Sequence, residues 1–157
     1  VGVRKVIPKR ILLCSDFSEN SKSAREYAEG FAKAFEAELL ILHVINTSSI
    51  GCPVLEPGMP VDIRAILEDI QRSVDKALQL IAEECGGLSR AVKTFSRVGP
   101  PAFEIVRFAD QEDIGLIVMG THGWTGFKHL VMGSTAENVV RTANCPVLTV
   151  RSPRDQS

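Results

Sequence analysis

The sequence lacks most of the features that would commit it to a special class. Its longest apolar runs, such as IGLIVMG at 114–120, are far too short to cross a bilayer. The opening VGVRKVIPKR is basic but holds no apolar signal core and no cleavage motif. Four cysteines, Cys14, Cys52, Cys85 and Cys145, are scattered with no CxxC among them. A zinc site is therefore not expected, and the thiols read as free. Neither sign of charge dominates: 18 Lys and Arg face 19 Asp and Glu, a formal net charge of −1. That balance gives no general attraction to nucleic acid or to an anionic membrane. There are no internal repeats and no low-complexity segment. The expectation is an intracellular, cytoplasmic globular protein. At 157 residues, 45% hydrophobic and 24% charged, it is long enough for one domain with a real core.

Short apolar runs alternate with helical patterns along the chain. RILLCS (10–15), AELLILHVI (37–45), AVKTFSRV (91–98), IGLIVMG (114–120) and CPVLTVR (145–151) read as strands. After the first run, Ala24, Tyr27, Ala28, Phe31, Ala34 and Phe35 recur at steps of three and four, a helix capped by Ser or Asp. Ile63, Ile66, Leu67, Ile70, Val74, Ala77, Leu78 and Ile81 mark a second helix over 61–85, stopped by Gly86 and Gly87. PPAFEIVRFADQED opens on prolines suited to a helix start, and STAENVVRTAN (134–144) is a fourth helix. The segment 46–60 is rich in Pro, Gly and Ser and reads as a long, mobile or functional loop, and 152–157 as a polar tail. Several strands are apolar on both faces, as central parallel strands are. The predicted fold is a doubly wound α/β domain with five parallel strands.

The stretch 120–133 places four glycines between a buried strand and a helix. Glycine costs ordered structure ~0.5–1 kcal/mol relative to alanine, so such a cluster needs a reason. Ligands of open α/β sheets sit beyond the carboxyl ends of strands, where this loop lies. Ser134 followed by Glu137 predicts a capping box at the helix start. A helix N-terminus carries about +0.5 of an elementary charge and free N–H groups, which favour a phosphate. Gly120, Gly123 and Gly133 would let amides approach an anion without an intervening Cβ. By itself the loop is equally compatible with a turn that only joins strand to helix. No Lys stands between Gly133 and Ser134, so it is not a Walker A loop; nor is it G-x-G-x-x-G or a G-x-S-x-G elbow.

The spacing G-x2-G-x9-G-S, filled by Gly120, Gly123, Gly133 and Ser134, resembles the nucleotide-binding signature of the universal stress protein family. ILLCSDFSENS, LLILHVI, VGPPAFEIVRFA, IGLIVMGTHG and LVMGSTAENVVRTANCPVLTVR are similar to that family too, so the resemblance runs from about 10 to 151. It implies a five-stranded Rossmann-like sheet in the order 3-2-1-4-5, in a single domain spanning 1–157. It implies ATP as ligand, with any Mg²⁺ held by the phosphates rather than by side chains, and AMP or ADP as shorter alternatives. Asp16 then contacts the ribose, with Ser15 beside it. The competing role for Asp16 is to cap the first helix. Val44 and Met119 flank the base, with a place in the sheet core as the competing role of each, and Gly120, Gly123, Gly133 and Ser134 hold the phosphates. His122, inside the loop, could bond a phosphate or a metal-bound water, and Thr135 either supplies a further phosphate contact or leaves one lost. Ala136 departs from the pattern, because many ATP-binding members carry a second hydroxyl there. His43 reads as a satisfied core histidine. The resemblance also implies a homodimer through the last strand, 146–151. The implied function is a nucleotide-binding regulatory module of the stress response. A weak ATPase and a member acting by protein contacts alone stay open, and no convincing catalytic base is legible.

Overall fold

The computed structural model describes residues 7–49, 62–87, 91–121 and 132–151. Its elements run β1 (Arg10–Cys14), α1 (Glu19–Phe35), β2 (Glu38–Ile45), a short 3₁₀ turn (Thr47–Ser49), α2 (Ile63–Glu84), β3 (Val92–Val98), α3 (Pro101–Gln111), β4 (Leu116–Gly120), α4 (Ser134–Thr142) and β5 (Val147–Val150). The five strands form one parallel sheet in the order β3-β2-β1-β4-β5, as predicted. β1 is central: Cys14 pairs with Leu42 of β2 on one side and Met119 of β4 on the other.

Alternation along the strands feeds two cores. Ile11, Leu13, Leu39 and Ile41 pack against α1 and α2, through Ala24, Ala28, Ala32, Val74 and Leu78. Leu12, Leu40, Leu42 and Ile117 pack on the opposite face against Ile105 and Phe108 of α3 and Val139 of α4. Leu39 through Leu42 are all 1% exposed or less. Burying each such side chain contributes about 1.5–3 kcal/mol, which is why an unbroken apolar run folds as an interior strand.

Local signals set the helix ends. Ser18 caps α1 by accepting from the Ser21 amide at 3.3 Å. Asp16 is therefore not the cap of that helix. Pro101 opens α3 at its first helical position, where a missing N–H is harmless. α2 differs from its expected stripe: only Val74 and Leu78 are fully buried, while Ile63 is 63% exposed. Its 22 residues make a rod of about 33 Å, whereas the eight residues of β2 span about 26 Å. Ile70, in the N-terminal half of α2, lines the cavity described below.

β4 starts at Leu116, two residues later than its apolar run suggests. Ile114 is buried in the turn before it, and the Gly115 amide donates to the Arg10 carbonyl at 3.0 Å. A Cβ on Gly115 would lie 2.8 Å from Pro8 Cβ and 2.9 Å from Pro8 Cα. Gly115→Ala should therefore lower unfolding stability by about 1–3 kcal/mol. Denaturant unfolding checks this, and an unchanged midpoint would contradict the packing.

Candidate functional site

The carboxyl ends of β1, β2 and β4 open on a cavity of ≈ 420 Å³. It lies at the topological switch point, where the chain crosses from one side of β1 to the other. Three segments build it.

The first is the turn after β1. The Ser15 amide extends the ladder by donating to the Leu42 carbonyl at 2.9 Å. The chain then reverses at Phe17, which takes a left-handed φ of 64°. Asp16 Oδ1 accepts from the Ser18 amide at 3.0 Å and from its hydroxyl at 2.5 Å. The Phe17 amide donates to Ser15 Oγ at 3.3 Å, and Ser21 Oγ to the Ser18 carbonyl at 2.8 Å. These short-range bonds fix the Asp16 carboxyl group at the cavity wall.

The second is the end of β2. His43 lines the cavity; its Nδ1 lies 2.8 Å from the Ser15 carbonyl, and its ring stacks on Phe17 at 4.5 Å. A carbonyl only accepts, so Nδ1 carries the hydrogen. Burial holds the imidazole below its ordinary 6.5, against opposing pulls from the Ser15 carbonyl and the Asp16 charge. The folded value lies below the unfolded one, so the neutral ring's contribution to stability is present above that pH and lost as pH falls. NMR titration should place the His43 midpoint below 6.5, and a midpoint above it would contradict the burial.

The third is the passage from β4 to α4. The Thr121 amide donates to the Val150 carbonyl at 3.0 Å, and the Gly133 amide to the Thr121 carbonyl at 2.7 Å. The two ends of the glycine-rich loop are thus clasped together. Gly133, pinned in extended geometry at ψ 153°, is the N-cap of α4, and among the described residues no side chain caps that helix. The predicted capping box is not formed. The first helical bond runs from the Glu137 amide to the Gly133 carbonyl, which places Ser134 inside the helix, while the Glu137 carboxylate pairs with Arg141. The start of α4, with its partial positive charge, lies at the cavity wall through Ser134, Thr135 and Ala136.

The described candidates, Ser15, Asp16, Val44, Met119, Gly120, Gly133, Ser134, Thr135 and Ala136, all line this one cavity. His122 and Gly123 lie outside the described residues. Among the described lining residues, Asp16 is the one acidic side chain. Gly120 has a packing reason for its identity: a Cβ there would lie 3.1 Å from Asn20 Cβ and 3.2 Å from the Asn20 carbonyl carbon. Ala136 is 2% exposed and belongs to the apolar cluster under α3 and α4.

Sequence reasoning missed Asn46, Ile70, Pro101, Ile105 and Thr121, and it assigned His43 to the core. Thr121, between Gly120 and the rest of the loop, was the one with a local signal. The cavity lining includes Cys14, whose thiol burial pushes well above the ordinary range, which disfavours the reactive thiolate. Cys85 is held beside Glu29 at 3.0 Å, and its thiol is pushed up to about 12 chiefly by burial.

A parallel sheet in this order, with Asp16 after β1 and the glycine-capped start of α4 after β4 lining one cavity, defines a Rossmann-like α/β domain. Residues 8–151 match the universal stress protein family. The chain is 36% identical over 149 residues to universal stress protein MJ0531 of Methanocaldococcus jannaschii, spanning 94% of this chain and 85% of that one. It superimposes on the solved structure of MJ0577, from the same organism, with a TM-score of 0.81 and 31% identity, over 94% of this chain and 98% of that one. A universal stress protein from Archaeoglobus fulgidus, solved in complex with dAMP, shares the fold with a TM-score of 0.63 and 22% identity, over 92% of this chain and 98% of that one. The chain belongs to the universal stress protein family.

Proposed function

We propose that the cavity binds an adenine nucleotide, ATP or a shorter form, and that occupancy makes this chain a regulatory module of a stress response. One observation carries the reading. A carboxylate acceptor at Asp16 and a helix N-terminus without a side-chain cap open on the same cavity of ≈ 420 Å³. The carboxylate suits ribose hydroxyls, and the helix start suits phosphate oxygens. Between them, Val44 and Met119 offer an apolar wall to a base. In this reading Ser15 supports Asp16, and Gly120, His122, Gly123, Gly133, Ser134 and Thr135 surround the phosphates. Ala136 supplies no hydroxyl there. A Mg²⁺ ion would be held by ATP's own oxygens, as that cation commonly is. The relative solved with dAMP supports the reading at the level of the fold, which accommodates an adenine mononucleotide.

Calorimetric titration with ATP, with and without Mg²⁺, and with AMP and adenosine tests this proposal. ATP and AMP are expected to bind, and adenosine more weakly for want of a phosphate. No heat with any of the three, in folded protein freed of nucleotide, would overturn the reading and favour action through protein contacts alone.

The same reading includes a homodimer through β5. That strand is the edge of the sheet. The carbonyls of Pro146 and Val150 accept from β4 and the residue after it. Backbone groups alternate sides along a strand, so those of Val147 and Thr149 face the free edge. Thr149→Pro removes one outward N–H and leaves the β4 ladder intact. Light scattering should find a dimer for the native chain and a monomer for Thr149→Pro. A native monomer would contradict edge pairing.

A further inference from the structure

Phe17 stands in the left-handed region, at φ 64°, immediately after Asp16. For a residue with a bulky side chain that conformation is strained and persists only where its surroundings over-determine it. One side chain grips the residues on both sides of Asp16. His43 Nδ1 donates to the Ser15 carbonyl at 2.8 Å, and the same imidazole stacks on the Phe17 ring at 4.5 Å with 27° between planes. His43 comes from β2, the strand beside β1, and its own backbone is locked in the sheet. The anchor is therefore rigid, and what it anchors is a four-residue turn.

We infer that His43 is the positioning residue for Asp16: by holding Ser15 and Phe17 together, it fixes the turn that aims the Asp16 carboxylate into the cavity. The inference rests on the reading that Asp16 receives ribose hydroxyls. A carboxylate held in place before the ligand arrives loses less freedom on binding, so the grip strengthens binding without His43 touching the ribose. The donor and the stack are separable contributions. His43→Asn keeps a donor near the Nδ1 position and loses the ring. His43→Phe keeps the ring and loses the donor. His43→Leu loses both.

The test combines nucleotide titrations with a structure. His43→Leu should weaken AMP binding by about tenfold, the loss expected of one well-placed hydrogen bond with its stacking partner. His43→Asn and His43→Phe should each lose part of that. The same substitution should leave 2′,3′-dideoxy-AMP binding unchanged, because that ligand has no ribose hydroxyls for Asp16. In an Asp16→Ala background, His43→Leu should have no further effect on AMP. An equal loss for AMP and its dideoxy analogue, or a loss that persists without Asp16, would overturn the inference, since His43 would then touch the ligand or act on the whole fold. The ligand-free crystal structure of His43→Leu, or of His43→Asn should that variant fold better, gives an answer independent of any nucleotide. Phe17 should leave the left-handed region and the Asp16 carboxylate should move. A turn at 15–18 that superimposes on the native one would refute the positioning role even if the protein bound no nucleotide at all.

Discussion

Phe108→Ala is expected to cost about 3–5 kcal/mol of stability, the usual penalty for emptying a fully buried aromatic site. Phe108 is 1% exposed and sits in the core between the sheet and α3. Its ring centroid lies 4.9 Å from that of Phe95, and the Arg97 guanidinium lies 5.1 Å above it. Truncation therefore leaves a void, a broken aromatic pair and a cation without its ring. For a chain of this size the melting temperature should fall by roughly 10 °C. A shift of only one or two degrees in a thermal melt would mean that α3 closes over the void.

The second large effect concerns ligand, not fold. Asp16→Asn should weaken AMP and ATP binding by about 10- to 100-fold, the range for losing hydrogen bonds to a charged acceptor. The asparagine Oδ1 can still accept from the Ser18 amide and hydroxyl, as Asp16 Oδ1 does at 3.0 and 2.5 Å. The turn should survive and the melting temperature should stay near that of the native protein. Asp16→Ala removes both roles. It should match the affinity loss and also cost about 1 kcal/mol of stability, because Ser18 loses the partner that orients it as the cap of α1. Comparing the two variants by titration and thermal melt separates ligand contact from turn support. Native affinity in Asp16→Asn would mean that the ribose lies elsewhere.

The fold was legible because its sheet is simple. Each interior strand is an apolar run, and each run ends at a residue that turns, so the strand count could be read from the residues, while the order 3-2-1-4-5 came from the family resemblance. Asp16 and Gly120 were legible for the same reason: residues that follow parallel strands meet at one end of the sheet. What was not legible depends on distances across the chain. Ile70 of α2 lines a cavity built mainly from the ends of the strands, a meeting across the chain that periodicity cannot reveal. His43 looked like core because it lies within an apolar strand, yet its partners are Ser15 and Phe17, in the turn after a neighbouring strand. The cap of α4 was displaced by one residue, from Ser134 to Gly133. S-x-x-E fits a capping box locally, but the bond from the Gly133 amide to the Thr121 carbonyl fixes where the loop ends and the helix begins. Gly120 looked like an opening for an anion, and the structure shows its Cβ space taken by Asn20.

The most direct test of the central claim is an amide NMR titration of the ¹⁵N-labelled chain with AMP. Ser15, Asp16, Val44, Gly120 and the α4 start at Ser134–Ala136 are expected to shift together along one saturating curve, while Gly86 and Lys93, which do not line the cavity, stay still. Shifts centred elsewhere, or none up to millimolar AMP, would contradict an adenine-nucleotide site at the switch point.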